Sequence, residues 1–93
     1  MRLSNSERLK ITQSIIERDP DASIYLFGSR IDDSARGGDI DLLVLSEKIG
    51  LWDRLDILAY LHLQLGERKI DLIVYPDLTT PFARIAVDEG VRL

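Results

Sequence analysis

The chain has 93 residues, no cysteine and a net charge of −4, with 45% apolar and 30% charged residues. That length holds one domain with a modest core, the apolar share argues against disorder, and the missing cysteines exclude disulfides and thiolate metal sites. A pI near 4.8 lacks the basic footprint of a protein that grips long nucleic acid.

Residues 4–18 form the first expected element, a helix. Ser4 and Glu7 have capping-box spacing, and Leu9, Thr12, Ile15 and Ile16 form the expected buried stripe, with Ile11 at its edge. Asp19-Pro20-Asp21 ends it, because the residue before proline resists the helical region. Residues 22–27 read as a strand whose continuous apolar character suggests burial on both faces. Gly28 follows, where the backbone can turn sharply and a ligand can come close. Ser29 and Arg30 are expected to begin a short helix with free N–H groups suited to an anion. Residues 32–38 are a polar loop in which Asp32 and Asp33 read as solvated charges, while Arg30 and Arg36 are candidate phosphate contacts.

Residues 39–45 form a second strand. Residues 51–65 then read as a helix closed by Gly66. On a helical wheel its apolar residues cover roughly 240°, broken by Arg54 and His62, with Asp53, Asp56 and Gln64 as a narrow polar edge near Tyr60. A helix on one side of a sheet needs a stripe about half as wide, so Trp52, Ile57, Leu61 and Leu63 are candidates for a surface that meets a partner or a second copy. His62, the only histidine, falls on the apolar side and is expected to be a hydrogen-bonded packing or interface residue rather than a base; without cysteine or a second histidine no zinc site is expected. Residues 69–74 form a third strand. Thr80-Pro81 starts a last helix, with Phe82, Ile85 and Ala86 inward and Gly90 at its end. The order implies one α/β or α+β domain over 1–93, with three strands and about four helices. The helix between the second and third strands makes that pair a candidate parallel pair.

The chemistry concentrates in two short repeats. Asp39-Ile40-Asp41-Leu42-Leu43-Val44 places two carboxylates on one strand face, roughly 6.6 Å apart along the strand. Lys69-Ile70-Asp71-Leu72-Ile73-Val74 repeats the pattern. If the strands are neighbours in register, Asp41 and Asp71 lie opposite each other. At an effective dielectric near 20, two unit charges ~5 Å apart repel by roughly 3 kcal/mol. A divalent cation reverses the sign of that term, and Mg²⁺ is typically held by one or two carboxylates plus substrate phosphates. A lone D-x-D is more often a solvated strand end; Gly28-Ser29 upstream and the echo at Asp71 shift the balance to a site.

Gly28-Ser29, nine residues, Asp39-Ile40-Asp41-Leu42-Leu43-Val44 and the later strand carrying Asp71 together resemble the nucleotidyltransferase superfamily of DNA polymerase beta. The similarity runs from Ser6 to Glu89-Gly90-Val91 and is greatest to the minimal nucleotidyltransferases. Many of these read G-S-R-A-R-G after the strand, where this chain has Gly28-Ser29-Arg30-Ile31-Asp32-Asp33, and commonly carry Ser where it has Gly38. The resemblance implies a nucleotidyltransferase fold with a mixed sheet. Gly28, Ser29 and Arg30 would bind nucleotide, with Asp39, Asp41 and Asp71 as catalytic metal ligands. It implies a two-metal Mg²⁺ site and ATP as AMP donor. Such minimal members are typically antitoxins whose acceptor is a tyrosine hydroxyl of a HEPN-domain toxin. Two alternatives stand beside this: a binding module that neutralises the toxin by docking alone, and transfer to a small molecule with an acceptor domain borrowed from a partner. No apolar run approaches 18 residues and the N-terminus lacks a signal-peptide core, so the expected setting is the cytoplasm.

Overall fold

A computed structural model describes residues 3–27, 40–66 and 69–93. Its elements run α1 (Asn5–Ile16), β1 (Ser23–Phe27), β2 (Ile40–Leu45), α2 (Leu51–Leu65), β3 (Ile70–Tyr75), α3 (Pro81–Glu89) and β4 (Val91–Arg92). The strands form one sheet in the order β3-β2-β1-β4. β1 is antiparallel to both β2 and β4, whereas β2 and β3 are parallel. This is the expected small α+β fold with a mixed sheet. Its sheet has four strands rather than three, and three helices are found among the described residues. The short helix expected at Ser29-Arg30 lies outside them.

Helices α1 and α2 cover one sheet face. The main core lies between: Ile11 and Ile15 of α1 and Ile57 and Leu61 of α2 meet Ile24, Leu26, Ile40, Leu42, Val44, Ile70 and Leu72 of the strands. α3 covers part of the other face, where Leu43, Ala83 and Ala86 are buried. β1 is therefore not equally buried on both sides as its composition suggests. Ile24 and Leu26 are buried while Tyr25 and Phe27, on the α3 side, are half-buried. The reason is that α3 is only nine residues long and cannot roof the whole face.

The capping box of α1 forms as read. The Glu7 N–H donates to Ser4 Oγ (3.1 Å) and the Ser4 N–H donates to Glu7 Oε1 (2.9 Å). The buried face is rotated from the expected stripe: Ile11, Ser14 and Ile15 are buried, Thr12 is half-buried, and Leu9 and Ile16 are exposed. Apolar residues surround much of this helix, so apolarity alone does not choose a face. The small Ser14 lets the helix seat on its Ile11–Ile15 side, and its hydroxyl is satisfied by the Ile11 carbonyl at 2.8 Å.

α2 spans the expected residues and ends at Gly66, whose φ of 83° with ψ of −152° suits glycine alone. Ile57 and Leu61, expected in the surplus apolar surface, belong to the core instead. Trp52 and Leu63 do face outward, 77% and 83% exposed, with Leu55 beside them. His62 is exposed, so of its two expected roles core packing is ruled out and an interface position stays open. Arg54 interrupts the apolar face because its Nε donates to the Leu72 carbonyl of β3 at 2.7 Å. Arg18 ties α1 to α2 through Asp53 (3.0 Å) and Asp56 (3.5 Å).

In α3 the inward residues are Ala83 and Ala86; Phe82 and Ile85, expected inside, are exposed. Two alanines let the helix axis lie close over Leu43, which a Phe or Ile at the contact would prevent. Close approach also governs its exit. A Cβ on Gly90 would stand 2.5 Å from the Ala86 oxygen and 2.9 Å from the Leu26 oxygen. The chain then turns into β4, where Val91 pairs with Leu26 and Arg92 with Tyr25.

A buried polar node joins two loops at the sheet end where β2 stops. Asp19, 3% exposed, accepts the Ser46 hydroxyl at 2.6 Å and the Asp21 N–H at 2.9 Å. Ser46 Oγ in turn accepts the N–H groups of Lys48 and Ile49. The Ser46 hydroxyl, then the Asp21 N–H, hold the Asp19 carboxyl below its ordinary value, against the opposing effect of burial.

Candidate active site

The opposite end of the sheet carries the carboxylates. Parallel pairing of β2 with β3 sets Ile40 against Ile70 and Asp41 against Asp71. Antiparallel pairing of β1 with β2 sets Phe27 against Asp41. Phe27, Asp41 and Asp71 therefore form one cross-strand row, in strands about 4.8 Å apart. Strand alternation fixes their face. Ile40, Leu42, Ile70 and Leu72 point into the α1/α2 core, so Asp41 and Asp71 point to the face that α3 only partly covers.

This placement has a local cause. Each aspartate sits between two core residues at the N-terminal part of its strand, so burying Ile40 and Leu42, or Ile70 and Leu72, turns the carboxylate outward. A one-residue slip would bury the acids and expose the aliphatics, which locks the register. Asp41 is half-buried and Asp71 exposed. The pair presents hard oxygen donors, adjacent and accessible, as a magnesium ion requires. Among the described residues no three His, Cys, Asp or Glu side chains gather into a metal cluster. Asp39, the third carboxylate of the sequence reading, lies outside them, as do Gly28, Ser29, Arg30, Asp32, Asp33, Arg36 and Gly38. In sequence, residues 28–39 lie between Phe27, which is in the row, and Ile40, which precedes Asp41.

Three residues near the row were not placed by sequence. Phe82 had the spacing of a core residue, yet it sits beside Phe27 on the carboxylate face, with ring centroids 5.8 Å apart. The Pro81 start was the available signal, since it places Phe82 in the first turn, where a helix has not yet settled over the sheet. Val91 and Arg92 gave no strand signal because two residues show no alternation. A hollow of about 130 Å³ lined by Gln13, Glu17, Arg18, Asp56 and Tyr60 lies between α1 and α2. It is on the far side of the sheet from the aspartates, and its carboxylates Glu17 and Asp56 share it with Arg18, which lies 3.5 Å from Asp56.

No curated protein matches the chain at a significant level. A family model described as Polymerase beta, Nucleotidyltransferase matches residues 9–93, which takes in every described strand and the whole of α2 and α3. The match extends across the row of Asp41 and Asp71 and the segment 28–39, and its members generally act on nucleoside triphosphates with a divalent metal. The chain belongs to the polymerase beta nucleotidyltransferase family.

Proposed function

We propose that the chain is a Mg²⁺-dependent nucleotidyltransferase of the minimal, antitoxin type, which transfers AMP from ATP to a tyrosine hydroxyl of a HEPN-domain toxin in the cytoplasm. The observation that carries the reading is the register pairing of Asp41 with Asp71 on an accessible sheet face within a nucleotidyltransferase domain.

Asp39 and Asp41 would hold the metal, with Asp71 completing the oxygen set or taking the proton of the acceptor hydroxyl. Bound magnesium supplies charge neutralisation at the phosphate oxygens. Gly28 and Ser29 would anchor the pyrophosphate end, and Arg30 is placed by sequence to add a bidentate contact. The hydroxyl oxygen forms a bond to the α-phosphorus, the bond to the bridging oxygen breaks, and pyrophosphate leaves. The protein's part is positioning and electrostatics, which supply most of the acceleration in such displacements.

A second reading is favoured by one observation. Trp52 and Leu63 project from α2 almost fully exposed, as expected of a domain that works while docked. On that reading the chain neutralises its partner by occupancy alone. Growth rescue separates the two. A chain carrying Asp39→Asn and Asp41→Asn fails to protect cells from the co-expressed toxin if transfer is required, and protects them fully if docking suffices.

A further inference from the structure

Four of the chain's six aromatic residues gather on the carboxylate face. Tyr25, Phe27 and Tyr75 alternate with Ile24, Leu26 and Val74, which pack in or against the α1/α2 core. Phe82, in the first turn of α3, joins them. Its ring and that of Phe27 meet T-shaped at 5.8 Å, and it is tilted against Tyr75 at 6.4 Å. Phe27 is the register partner of Asp41, and Asp41 of Asp71. The aromatic cluster thus begins in the carboxylate row itself.

These contacts brace Phe82 without burying it; 41% of the residue stays exposed. α3 packs on β1 and β2, leaving Ile73 and Tyr75 of β3 half-exposed. Burial does not account for the position, since Ala83 and Ala86 make the helix contact with the sheet. An aromatic ring fixed by two others, with surface to spare, is a stacking platform. Every nucleobase offers a π-face to such a ring, and stacking is tolerant of base identity.

We infer that Phe82, braced by Phe27 and Tyr75, receives the nucleobase of the triphosphate whose phosphate end lies at Asp41 and Asp71. The inference rests on the nucleotidyltransferase reading and deepens it. Phe82 touches the base and not the reacting atoms, so it governs nucleotide affinity. Stacking favours the larger purine ring over a pyrimidine.

Equilibrium binding of ATP, CTP and inorganic tripolyphosphate, each with Mg²⁺, to the full chain tests this. The wild type should bind ATP about tenfold or more tighter than tripolyphosphate, the scale of one base–aromatic stack, and CTP in between. Phe82→Leu keeps apolar bulk and removes the π-face. It should bring ATP close to tripolyphosphate while leaving tripolyphosphate affinity unchanged, which also reports an intact fold. Phe82→Trp should keep the preference. An ATP preference that survives Phe82→Leu, or is lost in Phe82→Trp, overturns the inference and leaves the nucleotidyltransferase reading standing. A Phe82→Leu variant that weakens only the acceptor's KM also overturns it, assigning the ring to the acceptor. A wild type that binds neither ATP nor tripolyphosphate contradicts the underlying reading and the inference together.

Discussion

Asp71 and Asp41 face each other across parallel strands for a reason that stability alone does not supply. Two carboxylates in this register repel unless a cation lies between them, and on the proposed function magnesium supplies that cation. Asp71→Asn should raise the metal-free stability slightly, by up to about 1 kcal/mol, the scale of exposed charge pairs, and the melting temperature with it. Magnesium should stabilise the wild type and not the variant. Thermal melts with and without Mg²⁺ check this, and a variant that gains as much from magnesium as the wild type would contradict it. The same substitution, or Asp41→Asn, should cost about 100-fold or more in transfer. At the other end of the sheet, Asp19 is a structural acid. Its carboxyl is held below the ordinary value by the Ser46 hydroxyl and the Asp21 N–H, so its contribution is complete above the unfolded value of 3.8. It is lost as pH falls through the depressed folded value. Asp77, lowered by the hydroxyl and N–H of Thr79, adds in the same direction. Urea midpoints measured from about pH 6 down to pH 2 should fall more steeply for the wild type than for Asp19→Asn.

At the level of elements, the strands were more legible than the helix faces. Asp-Ile-Asp-Leu and its echo specify both strand and register, because each places acids and aliphatics on opposite sides of a pleat, and only one pairing keeps the aliphatics inside. Helix ends were legible for the same kind of reason: Ser4 with Glu7, Gly66 and Pro81 each satisfy a local backbone demand. The inward faces of α1 and α3 were legible only in part: Ile15 and Ala86 read as inward and are buried, but Leu9, Ile16, Phe82 and Ile85 read the same way and are exposed. Both helices carry apolar residues over a wide arc, and the choice is made by small residues, Ser14 in one and Ala83 with Ala86 in the other, that permit close approach to the sheet. A sequence pattern weighted by hydrophobicity passes over them. The observed face of α3 makes a testable contrast. Ala83→Leu should destabilise by about 1–3 kcal/mol through overpacking, whereas Ile85→Ala, at an exposed position, should change stability by no more than about 0.5 kcal/mol. Urea unfolding of the two variants would contradict the observed packing if the order were reversed.

Among the described residues, the two sheet faces are covered unequally. One sheet face is closed by α1 and α2, and the outer side of α2 offers Trp52, Leu55 and Leu63 to solvent. The other face holds the carboxylate row under an incomplete roof. No helix among the described residues is long and apolar enough to cross a membrane. Of the six site residues expected from sequence, the structure describes two, Asp41 and Asp71. Asp39, Gly28, Ser29 and Arg30 are expectations from sequence and lie outside the described residues, whereas the aromatic row is seen in the structure alone, because it depends on where α3 crosses the sheet. Substituting both Trp52 and Leu63 by Glu should leave the fold intact, each change within about 0.5 kcal/mol, and abolish association with the toxin partner in size-exclusion chromatography. Retained association would place the docking surface elsewhere. The central claim is nucleotidyl transfer directed by the aspartates, and intact mass spectrometry of the partner chain tests it most directly. Partner co-purified with the wild type should carry one or more added AMP groups, and partner co-purified with the Asp39→Asn, Asp41→Asn chain should carry none; an unmodified partner in both preparations would contradict the claim.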